Sequence, residues 1–389
     1  MPLSAHTITI IGGGIGGLAC ALALRQRGAE VRVLEQADAL SEVGAGIQIS
    51  PNGFNVIRVL GLGPALEARS LRARAVSLRD YRRGSEVLQL NLRNLPPEQG
   101  YFFVHRADIL DILANAVRDA GVKIRLLQKV ETVLPGSPAR IVLSTGDTLD
   151  SDLVIGADGL HSVARSALNG TVAPFFTGQV AWRAIVPNVT GHPVHARVHM
   201  GPGRHLVSYP LRDGSIVNLV AVQERQAWAE EGWSIPDDPR NLKAAFAEFD
   251  AEVHRLLEEV KTVYLWGLFR HPVARNWIAE NVALLGDAAH PTLPFMAQGA
   301  NMALEDAWVM ARALSEGKSL EQGLTFYRNL RLGRVTRVVE AANGNAWRYH
   351  LRPGPVRFAA HLGLRAAGLL APGMMLRQYD WLYRHDVTA

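Results

Sequence analysis

The sequence predicts an α/β fold: a Rossmann-like domain interrupted by an inserted, largely antiparallel β-sheet domain and finished by C-terminal helices. Three observations predict it. Residues Thr7 to Gly17, TITIIGGGIGG, place a short β-branched run before Gly12, Gly14 and Gly17 in GxGxxG spacing, and a helix-like stretch follows from Leu18 to Arg27. Two further apolar runs end in Asp158-Gly159 and Gly286-Asp287, as strands of a parallel sheet do at their ligand-facing ends. Between them, from Gln179 to Phe269, the periodicity changes from alternating strand and helix to repeated strands.

The first run is built to hold a phosphate. Gly12 allows the tight turn, Gly14 lets backbone approach a pyrophosphate, Gly17 lets helix pack on strand, and the helix start supplies free N–H groups and a positive dipole end. A second strand, Glu30 to Leu34, leads to Glu35, 18 residues beyond Gly17, where a carboxylate can accept from ribose hydroxyls. A glycine-rich turn without a ligand would lack this strand, turn, helix, strand and acid order.

Composition sets the bounds. At 389 residues the chain exceeds one typical domain, so two lobes with a ligand between them are expected. Lys and Arg number 41 against 36 Asp and Glu, with no basic stripe, so a solvated surface is expected rather than a nucleic-acid interface. Cys20 is the single cysteine, which excludes a disulfide framework or a cysteine metal site, and no metal is expected. The first strand starts within a few residues of the N-terminus and no run of ~18 apolar residues occurs, so a soluble cytoplasmic protein is expected.

Taken in order, Ala37 to Gly53 reads as a loop whose GAGIQISPNG, Gly44 to Gly53, suits backbone lying against something flat or a plain Ω-loop. Asn55 to Leu60 reads as a short helix. Ala75 to Tyr81 and Glu86 to Leu90 alternate around Arg82-Arg83-Gly84-Ser85 as a hairpin, so part of the second lobe is inserted here. A helix follows from Ala107 to Ala120, then strands at Val122 to Leu126, Val130 to Leu134, Arg140 to Ser144 and Leu153 to Ile155. The second lobe has strands at Val180 to Val186, His195 to Met200, His205 to Pro210, Ile216 to Val222 and Thr262 to Phe269, with helical segments in Pro239 to Glu259. In GRHLVSYP, Gly203 to Pro210, strand alternation puts His205, Val207 and Tyr209 on one face, spaced to bracket an aromatic ring. A buried histidine and a core tyrosine would show the same alternation.

Beyond Gly286-Asp287, a loop carries His290, Pro291 and Pro294, and Gly299 opens a helix from about Ala300 to Leu314, a second helix N-terminus in the same region. Leu320 to Ala346 is a long helix whose Arg328, Arg331, Arg334 and Arg337 suit a solvated or salt-bridging face. The apolar tail Val356 to Leu370 is too short to span a bilayer and is expected to pack in a core or a dimer. These boundaries divide the chain into a dinucleotide-binding domain in three parts (1–74, 101–178 and 271–350), a hairpin (75–100) lent to the substrate domain (179–270), and a helical tail (351–389).

The three motifs together, GxGxxG with Glu35, Asp158-Gly159 with Ser162 and Arg165 behind it, and Gly286-Asp287 with Pro294, Gly299, Asn301 and Asp306, resemble the single-component class A flavoprotein aromatic hydroxylases, whose fold is that of para-hydroxybenzoate hydroxylase. The resemblance implies one non-covalent FAD, NADH or NADPH as a visiting co-substrate, and O2 activated as a C4a-hydroperoxide of the reduced flavin. It assigns Gly12, Gly14, Ile15 and Gly17 to the FAD pyrophosphate region and Glu35 with Gln36 to the adenosine end. Arg106 is assigned to the ribityl and phosphate region, Asp287 to the ribityl hydroxyls, and Asp158 to a contact shared with the nicotinamide. Gln48, Lys129, Pro294, Gly299, Ala300 and Asn301 complete the cofactor set. N–H groups at Gly299 can stabilise negative charge on a reduced flavin, as an oxyanion hole would.

On the substrate side, GAGIQ, GxHxVxYP and Ala297-Gln298-Gly299 resemble the branch of salicylate, 3-hydroxybenzoate 6- and 6-hydroxynicotinate 3-hydroxylases. The hydroxynicotinate enzymes carry histidine where this chain has Gln48. The resemblance implies hydroxylation of a small hydroxylated aromatic acid, with His205 as a base poised near neutral pH, Tyr209 orienting the substrate, and Gln48 and Gln298 completing its hydrogen bonds. A homodimer fits the same picture. Trp182-Arg183-Ala184-Ile185-Val186-Pro187 lacks the WxWxIP signature of flavin halogenases. A hydroxylase of a membrane-held quinone precursor and a non-catalytic FAD-holding redox-responsive protein are the competing readings.

Overall fold

The computed structural model describes residues 3–40, 45–225, 227 and 235–389, apart from the side chains of residues 345 and 346. A six-stranded sheet runs in the order Ile278–Ala279, Val282–Leu284, Leu153–Gly156, Thr7–Ile11, Glu30–Leu34, Lys123–Arg125, and every pair except the outermost Ile278–Ala279 is parallel. Thr7–Ile11 sits inside, paired on both sides, with Ile8 and Ile10 fully buried, and all of its residues are β-branched, as a strand buried on both faces favours. Helices Ile15–Gln26 and Gly299–Glu316 pack against each other on the sheet, and Leu320–Tyr349 packs on the second of them.

The second layer is an eight-stranded sheet in the order Pro236–Asp237, Val263–Arg270, Phe175–Pro187, Ile216–Glu224, Arg204–Leu211, His195–Gly201, Ala75–Asp80, Glu86–Asn91. Its pairings are antiparallel except that of His195–Gly201 with Ala75–Asp80, where the inserted hairpin joins. Period-two alternation gives it two different faces. One carries Val180, Trp182, Leu206, Leu219 and Ala221 into a core closed by helices Pro239–Ala245 and Ala251–Glu258. The other carries Ala181, Arg183, His205, Val207, Tyr209, Val220 and Val222, on the side of Leu293 and Phe295.

Several local expectations change. The stretch expected as a loop up to Gly53 contains a strand, Gly46–Ile49, because Phe102–His105 supplies a paired edge that also holds Ser70–Arg72. The helix expected from Asn55 starts at Pro51, since proline at the first turn needs no N–H partner. Gly44 lies outside the described residues. Of the two readings of the arginine row, solvated or salt-bridging, Arg331 takes the second: it is 1% exposed, between Glu305 and Asp306. Of the two packings expected of the tail, a core or a dimer, the core takes little of it: helix Pro355–Leu370 buries fully only Arg357 and exposes Phe358, Leu362, Leu369 and Leu370. Among the described residues no helix is long and apolar enough to cross a membrane.

Candidate active site

The glycine turn lies on the end of the neighbouring strand. Gly12 has φ +105°, and a Cβ there would sit 2.7 Å from the Ala157 carbonyl carbon and closer still to its oxygen, so only glycine fits. Gly14 is the N-cap of Ile15–Gln26; it faces open space, no side chain caps it and no acid stands in the first turn. Ile15 is buried beneath. The Glu35 carboxylate accepts from Gly13 N–H (2.7 Å) and Ala37 N–H (2.8 Å), leaving lone pairs on each oxygen for further donors. Gln36 and Lys129 are exposed at this end of the sheet, where Gln128 N–H donates to the Glu35 carbonyl.

Asp158 is committed to local structure. Its carboxylate accepts from Ser162 Oγ (2.5 Å) and from Val163 and Ala164 N–H, fixing the start of helix Val163–Asn169. The expected nicotinamide contact would have to use the remaining lone pair of a carboxylate already held by three donors. Arg165, from that helix, donates to the carbonyls of Ala288, Ala289 and Pro272 and so ties the second acidic motif to the third.

Asp287 is the open acid of the site. Its side chain is exposed although protein is packed densely around it, and among the described residues the structure gives no protein donor a hydrogen bond to it. Desolvation raises its pKa, and His290 and Arg106 partly oppose that rise. Arg106, at the start of helix Arg106–Asp119, is pushed down to about 10 by burial, against the pull of Asp287 and with the push of Arg183. A Cβ on Gly299 would lie 3.9 Å from Asp287 Oδ1, so the carboxylate stands beside the start of helix Gly299–Glu316. That start, like the one after Gly14, has no side-chain cap and no acid in its first turn. Pro294, Gly299 and Ala300 all retain accessible surface here, and Ala297 between them is held at φ +52°.

Two expected site residues turn inward instead. Gln298 is 1% exposed; its amide donates to Ser50 Oγ (3.0 Å) and its carbonyl accepts from Asn52 (3.1 Å). Asn301 is fully buried, accepting from Ser50 N–H and donating to the carbonyls of Gln48 and Ala297. Asn301 staples strand Gly46–Ile49, and Gln298 the residues just after it, to the helix start, and neither presents a free polar atom to a ligand. Behind them, Asn52 donates to Glu305, and Glu305 and Asp306 share Arg331. Asp306 also accepts from His290 (2.5 Å) and Gly286 N–H (3.0 Å), which holds the turn that presents Asp287.

The roof is the second face of the eight-stranded sheet. Across it Arg183 is paired with Val220 and Val220 with Val207, and all three stay half-buried in mid-sheet, where a fully packed face would be closed. Arg183, which the motif reading did not single out, lies 5.0 Å over the Trp266 ring, and burial lowers its pKa. His205 and Tyr209 flank this row. Tyr209 packs on Phe103 (5.0 Å) and hydrogen-bonds with Gln48, and burial pushes its phenol up. Gln48 also accepts from Tyr101 OH at 2.7 Å. His205 is 2% exposed, 5.8 Å from Phe295 and 5.2 Å from Tyr349 by ring centroids. Its pKa does not stay near neutral as expected: burial, and then His350, lower it well below the ordinary value, so the ring is a neutral acceptor.

The groups present fit a dinucleotide with a polyhydroxylated linker: an uncapped helix start after Gly14 for phosphates, a second at Gly299 for negative charge at the ring end, and two carboxylates with spare lone pairs to accept from hydroxyls. The family model described as "FAD binding domain" matches residues 5–342. The chain belongs to that family. Within the FAD-binding-domain family, a 3-amino-4-hydroxybenzoate 2-monooxygenase of Streptomyces cremeus is 37% identical over 357 residues, covering 90% of this chain and 89% of that enzyme. A 3-hydroxybenzoate 6-hydroxylase of Aquipseudomonas alcaligenes is 30% identical with 98% of each covered. Among solved structures, Klebsiella pneumoniae HpxO, complexed with FAD and uric acid, matches with a TM-score of 0.85 at 25% identity, over 96% of this chain and 97% of that one. The chain is thus similar to flavoprotein monooxygenases over nearly its whole length.

Proposed function

We propose that the protein uses FAD, NADH or NADPH, and O2 to add one oxygen atom to a small hydroxybenzoate-like acid. Bound in the cleft, FAD would take a hydride from the nicotinamide and activate O2. Glu35, Arg106 and Asp287 hold it, and the free N–H groups after Gln298 stabilise negative charge at its ring end. Val207, Val220 and Phe295 exclude water above it. Arg183, Tyr209 and Gln48 orient the acid, and His205 accepts the proton of its ring hydroxyl, because a phenolate is the better nucleophile. The observation that carries this reading is the neutral His205 on the sheet face turned toward the Pro294–Gly299 segment.

A panel of hydroxybenzoates and hydroxypyridine acids, scored for stimulated NAD(P)H oxidation and for hydroxylated product, tests it. His205→Ala is expected to lower the hydroxylation rate by about 10²–10⁴-fold while FAD stays bound, with part of the reducing power lost to hydrogen peroxide. Turnover of none of these acids would refute the substrate class. NAD(P)H is an intracellular reductant, which supports a cytoplasmic location. The exposed apolar side chains of Pro355–Leu370 suit a homodimer contact, which light scattering tests. Sedimentation of the protein with lipid vesicles would instead favour the membrane-held quinone precursor.

A further inference from the structure

His205 is not the end of its hydrogen-bond chain. Its Nδ1 lies 2.7 Å from His350 Nε2, and His350 Nδ1 lies 2.9 Å from Glu224 Oε1. His205 and His350 are 2% and 5% exposed, whereas the Glu224 side chain is 46% exposed. Glu224 stands at a surface depression of about 450 Å³ whose lining includes Gly203, Arg204, Gln223 and Arg352. Backbone bonds fix the chain: Gly203 N–H donates to the His350 carbonyl, and Glu224 N–H donates to the Gly203 carbonyl. Three residues from two sheet strands and the end of the long helix therefore connect the interior to solvent.

From this geometry we infer that His205, His350 and Glu224 form a proton relay between the substrate hydroxyl and bulk water. The inference rests on His205 being the base of the proposed hydroxylation. The carboxylate end sets the tautomers: an ionised Glu224 accepts from His350 Nδ1–H, so His350 Nε2 is an acceptor and His205 donates to it through Nδ1–H. His205 Nε2 then carries the free lone pair. When the ring hydroxyl gives its proton to that nitrogen, the His205 Nδ1 proton passes to His350 Nε2 and the His350 Nδ1 proton to Glu224, which releases it to water. The O–H electron pair stays on the substrate oxygen, one proton leaves, and nothing is oxidised or reduced. The reverse shuttle protonates the product and restores both tautomers.

A relay solves the problem that burial creates. A lone imidazole in this site would have to hold a buried positive charge, and both rings are disfavoured as cations by burial. Concerted transfer leaves neither ring charged. The groups facing the rings are Phe295 and Tyr349 around His205 and Glu224 beside His350, with the cations Arg204 and Arg352 lining the depression around Glu224.

The test uses the full-length FAD-loaded protein. Nitrogen-15 NMR of its histidines is expected to show both His205 and His350 as Nδ1–H tautomers; an Nε2–H form of either ring in the resting protein overturns the relay. Rapid mixing with a hydroxybenzoate, followed by phenolate absorbance and a pH indicator, is expected to show Glu224→Gln slowing proton release about tenfold or more, with Glu224→Asp restoring most of it. His350→Gly is expected to be slowed likewise and rescued by added imidazole. Wild-type release rates in Glu224→Gln and His350→Gly, at full FAD content, also overturn it. If the wild type hydroxylates none of the acids, the substrate reading falls, and the tautomers alone then decide the relay.

Discussion

Removing the charge of Arg331 should damage the protein more than removing any surface arginine. The guanidinium is 1% exposed, with Nε 2.6 Å from Asp306 and NH1 2.6 Å from Glu305, both of which are fully buried. Burial by itself would raise the Asp306 pKa, but His290 and Arg331 outweigh it and hold the carboxyl down at about 2. A depressed carboxyl pKa stabilises the fold above the unfolded value near 4 and loses that contribution as pH falls through about 2; a gap of about 2 units corresponds to ~2–3 kcal/mol. Arg331→Met leaves Glu305 with Arg334 and Asn52, and Asp306 with His290 and the Gly286 N–H. Breaking one partner out of such a buried set costs ~3–5 kcal/mol. For 389 residues unfolding with ~2.1 cal/mol/K each, that is a fall of about 4–6 °C in melting midpoint. The Asp306 pKa rises in the variant, so its acid-side loss of stability begins at higher pH. Calorimetry of wild type and variant across an acid series reads both effects. An unchanged midpoint with an unchanged acid limb would show that Arg331 does not hold the two carboxylates.

Three further outcomes follow from the site. Asp287→Ala should weaken FAD binding by ~1–3 kcal/mol, since it removes an open acceptor in a desolvated cleft, and fluorescence titration with FAD measures it. Gly12→Ala should yield protein without FAD, because the new Cβ meets the Ala157 carbonyl and φ +105° strains any side chain; a yellow, FAD-loaded variant would refute this. Gly46→Ala would put a Cβ 2.6 Å from the Tyr209 ring, and should raise the KM for the aromatic acid while leaving FAD affinity unchanged in a steady-state and titration comparison.

Local pattern determined much of this protein. The order of β-branched run, glycines and helix in Thr7 to Gly17 admits few backbones, because φ at Gly12 and the close approach at Gly17 exclude side chains. Alternation along Arg204–Leu211 likewise placed His205 and Tyr209 on one face before any partner was known. Tertiary structure decided what those faces meet. Gln298 and Asn301 read as ligand contacts beside Gly299, yet their partners Ser50 and Asn52 are some 250 positions away, and a helix start leaves either direction open to a side chain. Arg331 read as one of a solvated or salt-bridging row, because spacing reports a helix face and not the two acids that bury it. His350 carries no motif at all. It comes within 2.7 Å of His205 only because the long helix ends against the turn before that strand, and burial first, with that contact second, makes a base expected to titrate near neutrality a neutral ring with a path to solvent.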